Sequence, residues 1–108
     1  MASPLNRFDI FLVRLDPTTG AEVGKTRPCA VLSPDDAINA LRTVIVAPLT
    51  SQVKYYKFRV QLRFRRRQGE IMLDQLRTVD KSRLINKIGK VSADKHDEIL
   101  SKLREMFS

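Results

Sequence analysis

The most regular pattern in the chain is a strict alternation between Lys57 and Arg65: Phe58, Val60, Leu62 and Phe64 are apolar, while Lys57, Arg59, Gln61, Arg63 and Arg65 are polar. Successive side chains of a strand point to opposite faces, so the apolar set belongs to a core and the polar set to one exposed face. Arg66, Arg67, Gln68 and Gly69 read as the hairpin turn, "EIML" as the returning strand and "DQLRTVD" as a loop leaving it. Upstream, "FDIFLVRL" reads as a first strand ended by the turn formers of "DPTTG", and "CAVLS" as a second that stops at Pro34. "TVIVAPLT" is rich in branched residues and apolar on both faces, which marks a central strand stopping near Pro48.

The remaining segments are shorter or follow another period. "DDAINALR" suits a short helical turn or a loop, "KSRL" one helical turn and "NKIGKVS" a short strand. The one long helix is "ADKHDEILSKLREMF": Ile99, Leu103, Met106 and Phe107 fall on one face, Ser92 or Asp94 is placed to cap it, and Asp94, Asp97 and Glu98 suit the positive end of its dipole. Short, mostly antiparallel strands with one C-terminal helix predict the α+β class, with a small, strongly curved sheet or partial barrel.

Composition narrows the partners. At 108 residues, without linker, repeat or low-complexity segment, the chain is expected to form a single domain over 1–108. The 20 Lys and Arg against 12 Asp and Glu leave a net charge of +8, which favours an anionic partner: nucleic acid, an acidic polypeptide or a membrane surface. No apolar run reaches the roughly 20 residues of a membrane span, and "MASPLNRFD" lacks the apolar stretch of a secretory signal, so a cytoplasmic protein with no membrane partner is expected. Cys29, the single cysteine, permits no internal disulfide and reads as a buried, inert thiol. His96, the single histidine, falls in the first helical turn and reads as a solvated surface residue. One histidine, without a Cys cluster or an H-E-x-x-H pattern, rules out a histidine pair and a multi-His metal centre within one chain, so no metal and no cofactor are expected.

Two constellations carry candidate chemistry. Lys54, Lys57, Arg59, Arg63, Arg65, Arg66 and Arg67 form a run of seven basic residues with no acidic one, suited to phosphates or, alternatively, to protecting a strand edge by charge. Tyr55 and Tyr56 beside it suit base stacking, but neighbours on a strand point to opposite faces, so one is expected to stack and the other to be core. The second constellation lies at loops: Glu22, Lys25, Thr26 and Arg27 after the first strand, Thr50 and Ser51 after the central one, and Asp74, Gln75, Arg77 and Thr78 after "EIML". Gly24-Lys25-Thr26 is no phosphate-binding P-loop, because three residues rather than four separate Gly20 from Gly24 and the continuation is a strand rather than a helix. Spacing alone does not bring these segments together.

The runs "DPTTGAEVGKTRPCAVLSP", "VIVAPLTS", "IMLDQLRTVDKSRL" and "KIGKVS" resemble, in order and spacing and over nearly the whole chain, the MazF/PemK toxin family of bacterial toxin–antitoxin systems. The resemblance implies an SH3-like barrel, a homodimer, an acidic antitoxin peptide as partner, and metal-independent cleavage of single-stranded messenger RNA. It further implies that Arg27 is a main catalytic residue with Thr50 as its partner, that Glu22 is the loop glutamate, and that Asp74, Gln75 and Arg77 line the substrate groove. Lys25, Thr26, Ser51, Lys57, Arg59 and Arg65 complete the expected substrate-binding set. One departure is Met72, where some members carry an arginine.

Those residue types suit the reaction. RNA supplies its own nucleophile, the 2′-hydroxyl, so cleavage to a cyclic phosphate requires only proton transfer and stabilisation of a doubly negative phosphorus centre. A guanidinium at Arg27 holds two phosphate oxygens, and Thr50 adds a neutral hydrogen bond. Glu22 is the better base on physical grounds, while the resemblance allows Arg27 itself to take part in proton transfer. Two alternatives keep the fold without the chemistry. A gyrase-binding toxin resembling CcdB depends on a C-terminal tryptophan, which "REMFS" lacks, and in a plain nucleic-acid-binding barrel Glu22 would be an odd neighbour for phosphate.

Overall fold

The computed structural model describes residues 5–15, 20–21 and 25–108. Glu22, most of the "DPTTG" turn and Gly24 lie outside the described residues. Seven strands form one curled antiparallel sheet: β1 (Asp9–Arg14), β2 (Thr26–Val31), β3 (Thr43–Thr50), β4 (Arg59–Phe64), β5 (Arg67–Met72), β6 (Arg77–Asp80) and β7 (Leu84–Lys90). The order is β4-β5-β3-β2-β1-β7, with β6 also paired to β3. Two helices complete it, α1 (Asp35–Ala40) and α2 (His96–Met106).

The sheet curls because its central strands bury both faces. Ile10 of β1, Ala30 of β2, Ala47 and Leu49 of β3, and Val60 and Leu62 of β4 pack into one cluster that α2 closes with Ile99, flanked by Leu100, Leu103 and Met106. The intervening positions Val13, Cys29, Val31, Val44 and Val46 form a second cluster with Ile38 of α1. Parity along each strand thus feeds two cores, which is why "TVIVAPLT" carries branched residues at almost every position.

Several local expectations are corrected. Pro48 does not end β3: it pairs with Cys29 of β2, and on the other edge it lies between the β6 ladder, ending at Val46, and the β5 ladder, beginning at Leu49. A residue without an amide proton is tolerated at such a gap. "DQLRTVD" is not a loop, since Arg77–Asp80 forms β6 after a short 3₁₀ turn. The hairpin turn lies earlier than the glycine suggested, at Arg65 and Arg66, because Phe64 pairs with Arg67. Both turn residues have left-handed φ, 53° and 67°. A two-residue hairpin turn of that geometry normally carries Asn-Gly, and each non-glycine residue there costs of order 1 kcal/mol.

At the helix, neither Ser92 nor Asp94 caps a backbone amide, and the Ser92 hydroxyl instead donates to the Asp94 carboxylate. Phe107 lies past the last turn and is 74% exposed, so Leu100 rather than Phe107 joins the apolar face. His96 is no solvated histidine: its ring stacks on Phe8 at 3.8 Å between centroids, and Nε2 lies 3.0 Å from the Val91 carbonyl oxygen. Cys29 is fully buried, and burial pushes its thiol up to about 12 against the lowering influence of the Arg77 and Arg27 cations. It remains a thiol at neutral pH and is no nucleophile.

Candidate active site

The site begins where two strands part. The β2–β3 ladder pairs Val31 with Val46, Ala30 with Ala47 and Cys29 with Pro48, then stops. Carried two residues further, the same register sets Arg27 opposite Thr50. Arg27 keeps its other partner, Val13 of β1, and Thr50 keeps Glu70 of β5, so each is anchored from behind while the space between them opens. Arg27 and Thr26 are therefore strand residues rather than members of the loop that the sequence suggested.

Two adjoining hollows meet at this opening, and Arg27, Thr50 and Ser51 belong to both. The first, a cavity of about 480 Å³, is walled by Ala21, Gln52, Lys54, Tyr56, Arg59, Met72 and Gln75. The second, about 380 Å³, has an apolar floor that includes Leu12, Leu62, Phe64 and Ile88 and a rim carrying Arg65 and Arg67. Arg27 is half-buried, and its guanidinium makes no hydrogen bond to another described residue. The Thr50 hydroxyl accepts from the Gln52 amide at 3.1 Å, which leaves its proton available to a ligand.

Glu70, absent from the sequence-based site, organises one wall. It is wholly buried on β5, directly across from Gln61, and accepts from Gln61 Nε2 at 2.7 Å, the Tyr55 amide at 2.9 Å and Arg59 Nη1 at 3.3 Å. Burial pushes its carboxyl up, but the hydrogen bonds from the Tyr55 and Lys54 amides, Gln61 and Arg59 outweigh that and hold it below the usual carboxylate range. Arg59 also makes a two-pronged contact with Asp74, Nε to Oδ1 at 2.9 Å and Nη2 to Oδ2 at 3.1 Å. The alternation of β4 thus gives the facing of Arg59 correctly but not its depth: only 10% of its side chain is exposed. The hydrogen bonds it donates to the Asp74 carboxylate are the main influence raising its already high pKa, so it is a fixed cation. Arg59 is also the cross-strand partner of Met72, so a guanidinium stands on the wall at the one departure from the family pattern.

Gly69 has a steric role. A Cβ added there would lie 2.5 Å from the Thr50 carbonyl oxygen, far inside contact distance and against backbone that cannot swing away. Gly69→Ala is therefore expected to push the end of β3 outward, costing about 1–3 kcal/mol of stability as overpacked sites do. The displacement of Thr50 should also lower, in protein that is still folded, the RNA cleavage that the resemblance implies. Urea unfolding beside a cleavage assay checks both; wild-type values in each would show that β3 yields without moving Thr50.

Of the other predicted site residues, most are drawn away from the hollows. Lys57 is ion-paired with Glu105 of α2 at 2.8 Å, and its carbonyl accepts from Lys102 Nζ. Arg77 Nη1 donates to the Leu15 carbonyl at 3.0 Å, tying β6 to the end of β1. Asp74 is engaged by Arg59, whereas Gln75 reaches the first hollow. Lys25, with φ 63°, and Thr26 are exposed at the entry to β2 and line neither hollow. Neither tyrosine is core: Tyr55 is 75% and Tyr56 56% exposed, because the segment preceding β4 is a loop rather than a strand. Among the described residues no group of three or more His, Cys, Asp or Glu side chains is placed to hold a metal, and no helix is long and apolar enough to cross a membrane.

Comparison with known proteins places this arrangement. Endoribonuclease EndoA of Bacillus subtilis (strain 168) is 34% identical over 107 residues, spanning 94% of this chain and 89% of that one. The crystal structure of MazF from Deinococcus radiodurans superposes with a TM-score of 0.84 at 27% identity, covering 98% of each chain. A MazE-MazF structure from the same organism superposes at 0.79 with 27% identity, covering 98% of this chain and 97% of that one. The model of the PemK-like, MazF-like toxins matches residues 6–107, and the chain belongs to that family of type II toxin–antitoxin toxins.

Proposed function

We propose that the chain is a metal-independent, sequence-selective endoribonuclease that cleaves single-stranded messenger RNA by attack of the 2′-hydroxyl, leaving a cyclic phosphate and a free 5′-hydroxyl. The observation that carries this reading is that Arg27 and Thr50, beyond the open end of the β2–β3 ladder, line both hollows. Among the described residues the first hollow is lined by Arg27, Lys54 and Arg59, three cations suited to a phosphate chain. A relative in Bacillus subtilis is named an endoribonuclease.

In this reading the scissile phosphate sits between Arg27 and Thr50. Arg27 neutralises the two non-bridging oxygens as negative charge grows on them, and the Thr50 hydroxyl adds a neutral hydrogen bond to one of them. Glu22 takes the 2′-hydroxyl proton, or Arg27 shares in that transfer, as the 2′-oxygen bonds to phosphorus; the bond to the 5′-oxygen breaks and that oxygen takes a proton from water to leave as the 5′-hydroxyl. Gln75 and Ser51 hold the neighbouring nucleotides in the first hollow, and Arg65 and Arg67 hold phosphates at the second. The protein acts as a homodimer and is restrained by an acidic peptide antitoxin whose carboxylates occupy the same cationic groove. A MazF relative has been solved with its MazE partner.

Incubation with single-stranded RNA and with single-stranded DNA in excess EDTA tests the reading. RNA should be cut at discrete positions to fragments bearing a cyclic phosphate or a 5′-hydroxyl, and DNA should stay intact. RNA that is bound but never cut would favour the non-catalytic barrel; an absolute metal requirement would overturn the mechanism.

A further inference from the structure

The loop between β3 and β4 carries both tyrosines that the sequence offered for base stacking, and the cleavage step above uses neither. Tyr56 lines the first hollow beside Arg27 and Thr50, and the Arg59 guanidinium lies 4.7 Å from the centre of its ring. This cation does not drift, because Asp74 and Glu70 grip it from other directions. One ring face is thus covered by a fixed positive charge, while the residue stays 56% exposed and borders the hollow.

The loop is held in this shape at some cost. Tyr55 has a left-handed φ of 58°, an unfavourable state for a bulky residue, and the buried Glu70 carboxylate accepts from its amide at 2.9 Å. The Arg59 amide then donates to the Tyr56 carbonyl at 3.2 Å and closes the turn into β4. A buried anion, a fixed cation and a strained residue all serve to present one aromatic face.

From this we infer that Tyr56 is a nucleobase-stacking residue for the substrate, binding a base one or two nucleotides from the scissile phosphate; the inference rests on the RNA reading above. A base fits better than an apolar peptide side chain, because Arg27, Lys54 and Arg59 surround the ring with positive charge that a flanking phosphate neutralises. The π-face of any base suffices, so Tyr56 contributes affinity and alignment while sequence choice is made elsewhere. The backing cation holds the ring in place through a cation–π contact.

Single-stranded 2′-O-methyl oligonucleotides of mixed sequence, which lack the nucleophile and survive, test this with 2-aminopurine at each position in turn. Binding to the wild-type protein should quench fluorescence at one or two positions. Tyr56→Leu should abolish that quench and weaken binding by about 5- to 150-fold, the loss expected for one stacked base, with an unchanged slope of affinity against salt. Tyr56→Phe, which keeps the ring, should retain the quench. The inference is overturned if no position is quenched, if no oligonucleotide binds, or if Tyr56→Leu behaves as wild type. A cleavable RNA assayed in parallel separates the two claims: cleavage without a Tyr56-dependent quench sinks the stacking site alone, and a quench without cleavage sinks the nuclease alone.

Discussion

Arg27→Ala is expected to lower the rate of RNA cleavage by roughly two to four orders of magnitude while leaving a folded protein, the range for losing a principal donor to a developing charge. The residue is anchored by β1 on one side only, and its guanidinium makes no hydrogen bond within the described part of the molecule, so its removal orphans no buried acceptor there. Transition-state stabilisation predicts a fall in kcat as large as that in kcat/KM. Arg27→Lys should restore little, since an ammonium keeps the charge but not the two-pronged hold on two phosphate oxygens. Thr50→Ala should cost less, because a neutral hydroxyl contributes one hydrogen bond. Single-turnover kinetics with circular dichroism on the same samples checks the outcome; a folded Arg27→Ala enzyme cutting RNA at the wild-type rate removes Arg27 from the chemistry.

The second large effect is on stability. Glu70→Ala leaves the nearly buried Arg59 with only the half-exposed Asp74 and strips the Tyr55 amide and Gln61 of their acceptor, and breaking a buried pair in this way costs about 3–5 kcal/mol. Replacing Arg59 and Glu70 together by Met and Leu should cost less than the two single changes added, because no buried charge is stranded. The pH dependence has a definite sign. The folded-state pKa of Glu70 is depressed, so its stabilising contribution is fully present above the unfolded carboxyl value of about 4.3 and is lost as pH falls through the folded value. Glu70→Gln should therefore unfold with a shallower acid dependence than wild type. Urea unfolding from pH 7 down into the acid limb measures both; parallel wild-type and Glu70→Gln curves would show that this carboxylate is not linked to folding.

What the sequence made legible follows from which physics is local. Alternation in β4 and the branched run of β3 reveal strands because side-chain period is a property of one segment. The depth of Arg59 is not, since it depends on Glu70 from the next strand and on a loop folding over both. A pointer did exist: Glu70 is the one carboxylate in a hairpin of cations, and the register sets it across from Gln61. β6 was hidden because of its four residues only Val79 is buried, so little apolar pattern was available to read. The turn was misplaced because Gly69 signals flexibility, whereas here its missing Cβ serves the close approach of the Thr50 carbonyl. The site shows the same division. The order of "R-P", "P-L-T-S" and "D-Q-x-R" names Arg27, Thr50 and Gln75, but their meeting at the parted ladder needs the register. Lys57 of the basic run and Arg77 of the loop-end group are drawn off by Glu105 and by the Leu15 carbonyl.

The central claim is that the substrate's own 2′-hydroxyl is the nucleophile. Once a cleavage position is mapped in an RNA oligonucleotide, a second oligonucleotide with hydrogen in place of that single 2′-hydroxyl tests it, with EDTA present throughout. The account predicts that cleavage at that bond disappears while binding persists and other sites are still cut; continued cleavage at the deoxy position would contradict it.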